Sequence, residues 1–168
     1  MKKILTVLLP LLCASTVFAA SKNDVVRWQT VVGVITALNV DNPVADIHSG
    51  TFAWSAQSGN AHINLSTGKA SFKVEGLVIN GTPFSGTAGP ITAVTGTLVC
   101  NAGEETEAVL DTPKVPLSAS GDAIFSGYIP SIPSLCANPI FLIRIADPEG
   151  AAGLWIATGA DRSGGQGD

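Results

Sequence analysis

Lys69-Ala70-Ser71-Phe72-Lys73-Val74-Glu75-Gly76-Leu77-Val78-Ile79-Asn80-Gly81 is the stretch on which the fold turns. Ala70, Phe72, Val74, Gly76 and Val78 fall on one side of an extended chain, and Lys69, Ser71, Lys73 and Glu75 on the other. Alternation with a period of two is the pattern of a strand with one buried and one wet face. Asn80-Gly81 follows at once, a pair that tolerates the positive φ of a tight turn, so the spacing predicts a hairpin there.

The same pattern extends in both directions. Upstream, Trp28 to Val40 reads as one strand, with Trp28, Val32, Val34, Leu38 and Val40 on one face and Val31, Ile35 and Ala37 on the other. Thr51 to Ala56 and Asn60 to Ser66 alternate likewise, and seven further segments do so downstream: 82–88, 91–100, 106–110, 115–119, 123–129, 140–146 and 154–159. Short strands punctuated by Gly, Asn, Asp and Pro, with almost no helical spacing, predict an all-β protein. The expected architecture is an antiparallel Ig-like or Greek-key β-sandwich, with a closed β-barrel as the alternative.

Lys2 and Lys3, the apolar run from Ile4 to Phe18 and the small residues Ala19, Ala20 and Ser21 have the form of a secretory signal peptide, with cleavage expected after Ala19. That run is short for a membrane span. Leu12 before Cys13 speaks against a lipoprotein signal. The expected organisation is a signal peptide over 1–19, one β domain over 20–162 and a disordered tail over 163–168, in a secreted or periplasmic protein. No later segment reads as a transmembrane helix.

Of the 168 residues, 13% are charged and 46% are hydrophobic, with a net charge of −4. Residues 1–19 carry two lysines and no acid, so without them the net charge is −6. An acidic chain offers no electrostatic footprint to a phosphate backbone, and no nucleic-acid partner is expected. An outer-membrane barrel would need aromatic girdles at both interfaces, and the chain is only 6% aromatic.

Apart from Cys13 the cysteines are a pair, Cys100 and Cys136. In an oxidising compartment, and with no zinc-like spacing nearby, the pair is expected to form a disulfide.

Catalytic motifs are missing: no G-x-S-x-G elbow, no H-E-x-x-H, no phosphate loop and no C-x-x-C. A triad assembles in space and can hide from spacing, so His48, in the connection Asp46-Ile47-His48-Ser49-Gly50, is a candidate base and ligand-binding residue. His62 alternates with Ile63 and reads as solvent-facing. No cofactor is expected. The alternative is calcium, for which Asp41 and Asp46 supply loop carboxylates of the hard-oxygen type.

Arg144 interrupts the apolar strand Phe141-Leu142-Ile143-Arg144-Ile145. It reads either as a wet-face arginine paired with a carboxylate such as Glu75 or Asp122, or as an anchor for a ligand. Ile129, Ile132 and Leu135 alternate with prolines between Tyr128 and Cys136, as a crossing over the core or as an apolar surface for a partner. Asn64-Leu65-Ser66 and Asn80-Gly81-Thr82 match the glycosylation acceptor pattern.

The functional expectation is an exported non-catalytic module with an interaction or structural role, partnered by an unidentified protein or envelope component. A barrel carrying a small apolar ligand, and a hydrolase using His48, are the alternatives.

Overall fold

The computed structural model describes residues 24–37 and 40–164. The expected signal peptide and all but the first two residues of the expected tail lie outside them. Among these residues the regular elements are all strands: β1 (Val25–Gly33), β2 (Trp54–Ser55), β3 (Ser58–Asn64), β4 (Lys69–Glu75), β5 (Val78–Ile79), β6 (Ala93–Cys100), β7 (Ala108–Asp111), β8 (Val115–Pro116), β9 (Ala123–Tyr128), β10 (Ile140–Ala146) and β11 (Ala152–Ser163). The main sheet runs β7-β6-β10-β11-β1-β3-β4-β9, with β8 also on β6, and β2 and β5 form a separate two-stranded sheet. Every strand pairing is antiparallel.

The main sheet curls upon itself. Phe72 on β4 and Phe141 on β10 are four strands apart in the sheet order, about 19 Å across a flat sheet at ~4.8 Å per strand. Their ring centroids are nevertheless 5.6 Å apart, and Trp28 on β1 lies 5.6 Å from Phe141. These three side chains, each no more than 2% exposed, fill the space inside the curl. Gly96 on β6 leaves them room, since a Cβ there would stand 2.7 Å from the Phe72 ring.

Cys100, the last residue of β6, is bonded to Cys136 in the connection between β9 and β10, as expected, and both are fully buried. Asn101 reinforces that crossing. Its backbone N–H donates to Ala137 O (3.0 Å), its side-chain Oδ1 accepts from Ala137 N (2.7 Å) and its Nδ2 donates to Leu135 O (3.1 Å).

Four local expectations need correction. The segment from Lys69 to Ile79 is two strands, because Gly76 adopts φ +63° and resets the alternation. Leu77 and Ile79, rather than Val78, then point into the core. Asn80-Gly81 is not a two-residue turn: Ile79 is bonded across a longer loop, to Gly86 N (3.0 Å) and Thr87 O (2.9 Å). The strand expected over 82–88 is that loop. Its hydroxyls satisfy the backbone locally and displace strand pairing, as where Ser85 Oγ accepts from Thr82 N (3.0 Å) and Thr87 Oγ1 donates to Phe84 O (2.8 Å). Finally, the first strand stops at Gly33, where the chain turns to give Trp54 N an acceptor in Val34 O (2.8 Å). Its inward residues are Val26, Trp28 and Val31, with Val34 buried just beyond its end, so the phase shifts after Trp28 and Val32 is exposed.

The tight hairpin joins β3 to β4 through Asn64, whose Oδ1 accepts from Ser66 N (3.1 Å) and Thr67 N (2.9 Å).

Gly121, in the turn between β8 and β9, has φ +87°, and a Cβ there would meet the Leu77 carbonyl at 2.3 Å. Gly121→Ala is therefore expected to cost about 2 kcal/mol or more, combining left-handed strain with a backbone clash. Gly81→Ala, at φ +71° in open space, should cost about 1 kcal/mol. Denaturant midpoints of the two variants check the ordering.

Candidate functional site

Residues 41–50 make a loop stitched to β11. Val44 and Ile47 exchange two backbone hydrogen bonds of 3.0 Å, which closes the tip. Trp155 N donates to His48 O (3.0 Å), Gly50 N to Trp155 O (2.7 Å) and Trp155 Nε1 to Asn42 O (2.8 Å). This brackets His48 and Ser49 against the sheet while Asp41 reaches back from the loop's start.

The Asp41 carboxylate holds both. Oδ2 lies 2.5 Å from His48 Nδ1, and Oδ1 accepts from Ser49 N (2.9 Å) and Ser49 Oγ (3.3 Å). The bond from His48, followed by that from the Ser49 amide, lowers the Asp41 pKa, and the bond to Asp41 raises that of His48. A histidine whose pKa is raised on folding contributes stability that is complete below its unfolded pKa and lost as pH rises through the folded value. Asp41→Asn should return the His48 titration toward its ordinary range, as an NMR titration of the ring protons would report. The effect on stability should be small, because the His48 side chain is 70% exposed.

The order of these groups matters for catalysis. In a serine-hydrolase relay the imidazole lies between carboxylate and nucleophile. Here the carboxylate lies between imidazole and hydroxyl, and among the described residues no hydroxyl is bonded to His48 Nε2. Asp46 is exposed at the loop tip, and among the described residues no three His, Cys, Asp or Glu side chains are grouped to hold a metal.

Arg144 is engaged by its own sheet. Nε donates to Gly153 O (2.7 Å), Nη2 to Ala152 O (2.6 Å) and Nη1 to Asp111 Oδ1 (3.4 Å). It spans the place where the β10–β11 register slips, and its carboxylate partner is Asp111. Glu75 and Asp122, the partners suggested by the sequence, are taken up by Lys73 and Ser58 and by Ser118 and Ser120 respectively. In the proline-rich connection Ile129 is buried, Ile132 half-buried against the core and Leu135 60% exposed.

Sequence reasoning missed a cleft of about 390 Å³ beside the small sheet. Phe52, Trp54, Ile79, Phe84, Ile145 and Leu154 supply its apolar walls. Phe52, Phe84 and Leu154 are 44%, 54% and 37% exposed, so apolar surface here faces water. A second hollow of about 340 Å³ adjoins it, sharing Gly50, Thr51 and Leu154, and is lined by Asp41, His48 and Ser49. The cleft draws on the 50–52 bend, β2, β5, the 81–84 loop, Pro90 and Ile91, β10 and β11, which no spacing rule brings together. The available signal was a negative one: Phe52 and Phe84 sit among Gly, Ser, Thr and Pro, where a strand core has no use for them.

No family model, curated protein or solved structure matches the chain. Among the described residues no helix is long and apolar enough to cross a membrane.

Proposed function

We propose that this chain is an exported, non-catalytic β-sandwich module of Ig-like, Greek-key type that acts outside the cytoplasm by binding an apolar ligand in the cleft beside β2 and β5. The reading requires no cofactor and no nucleic acid. The leader-like residues 1–21 and the Cys100–Cys136 bond support export. The cleft carries the functional part: its volume falls in the ~300–1,000 Å³ range of small-molecule sites, and its walls are almost wholly apolar. Exposed aromatic surface of this kind is costly in water unless something covers it. Trp28, Phe72 and Phe141 pack together inside the curl, which supports a ligand site on the outside of the curled sheet.

Titration with the uncharged fluorophore N-phenyl-1-naphthylamine tests this. One dye should bind per chain. Leu154→Asn or Phe84→Ser should weaken it about tenfold, the equivalent of ~1.4 kcal/mol of lost apolar contact. Ile124→Ser, at an exposed apolar site on β9, should leave affinity unchanged. Binding that ignores the cleft variants refutes the proposal.

A further inference from the structure

We infer that the occupant of the cleft is a single-chain amphiphile whose head group is a hydrogen-bond donor, an alcohol or an ammonium, seated in the adjoining Asp41–His48 hollow. The inference rests on the binding role proposed above and specifies its ligand.

Two observations lead to it. The apolar cleft and the hollow that holds Asp41 and His48 lie side by side, with Gly50, Thr51 and Leu154 lining both, so a molecule that crosses these residues can place an alkyl chain in the first and its head in the second. The cleft walls suit a hydrocarbon chain better than a polyhydroxylated ring, because Phe52, Trp54, Ile79, Phe84, Ile145 and Leu154 dominate them and Thr51 and Thr82 bring the only hydroxyls in the lining.

The hollow selects the head group. Its charged lining is the Asp41 carboxylate and the His48 imidazole, and Asp46 adds a further negative field at the loop tip. Above the pKa that Asp41 raises, His48 is neutral: it donates Nδ1–H to Asp41 and turns Nε2 outward as an acceptor. Nε2 has no partner among the described residues. An acceptor beside one carboxylate and near a second favours a donor or a cation and opposes a carboxylate head. Asp41, already tied to His48 and Ser49, is held in place before any ligand arrives.

The test is a matched ten-carbon series, decan-1-ol, decylammonium and decanoate, each followed by displacement of N-phenyl-1-naphthylamine from the protein at low ionic strength and at a pH above the His48 titration, where the ring is neutral. Decanol and decylammonium should displace the dye, with decanoate about tenfold weaker than decylammonium, since one head gains from the local charge and the other loses. In Asp41→Asn the gap between the two charged heads should shrink to about twofold while decanol is unchanged. The wild-type series alone suffices should that variant disturb the loop. Equal affinities for all three heads, or a preference for decanoate, would overturn the inference and leave the cleft as a site for the tail alone. Failure of the dye and of all three amphiphiles to bind would overturn the inference together with the proposed function.

Discussion

Phe72→Ala is expected to lower the free energy of unfolding by about 3–5 kcal/mol, and Phe141→Ala by a similar amount, because each leaves a large cavity in a sealed core. Such losses are a large share of the ~5–15 kcal/mol by which a domain is stable. The more telling quantity is the coupling between them. On a flat sheet the two rings would be too distant to interact, and their effects would add. At 5.6 Å between centroids, a double-mutant cycle should return about 0.5–1.5 kcal/mol of interaction. Urea unfolding of wild type, both single variants and the double variant measures it. Strict additivity would mean that β4 and β10 do not face each other across the curl.

Loss of the disulfide is the second large effect. Cys100 and Cys136 are 36 residues apart, and in the chain-entropy treatment closing a loop of that length is worth about 3–4 kcal/mol. The paired variant Cys100→Ser/Cys136→Ser, which leaves no lone thiol, should therefore melt about 10 °C below the oxidised protein, at ~2–4 °C per kcal/mol for a domain of this size. The fold should persist, because Asn101 holds the crossing at Leu135 and Ala137 independently of the sulfurs. Asn101→Ala on the oxidised protein should cost a further ~1–3 kcal/mol, since the Ala137 N–H would be left without its 2.7 Å acceptor. Thermal melts followed by circular dichroism separate the two contributions.

Most strands were legible in the sequence, and their pairing was not. Ile140–Ala146 is a strand within the limits that alternation gives, and β3, β6 and β9 differ from their expected bounds by a residue or two. Alternation records which side chains meet water. It does not say which neighbour a strand bonds to, so the closure of β11 on β1 and the curl that joins Phe72 to Phe141 had no sequence signature. The pattern also failed wherever a left-handed residue reset it. Gly76 looks like one more small inward residue, yet its positive φ exchanges Val78 for Leu77 and Ile79 on the core side. Arg144 was rightly singled out as unusual, but its partner depends on register, and the slip between β10 and β11 brings Asp111 to it. His48 and Asp41 were each marked as candidates for different chemistries. The loop joins them directly, a contact hidden by the six residues between them. The cleft was illegible because its walls come from seven separate segments, each contributing one to three side chains that look like ordinary loop or strand residues.

The central claim is that the chain binds an apolar ligand in the cleft between the small sheet and the ends of β10 and β11. Two-dimensional NMR of the isotopically labelled protein, titrated with decan-1-ol, tests it most directly. The account predicts saturable shifts in the amides of Thr51, Phe52, Ile79, Phe84 and Leu154, extending to His48, with Ile124 and Tyr128 on β9 unmoved. Shifts centred on β9 or on the proline-rich connection at Leu135, or small shifts spread evenly over the surface, would contradict it.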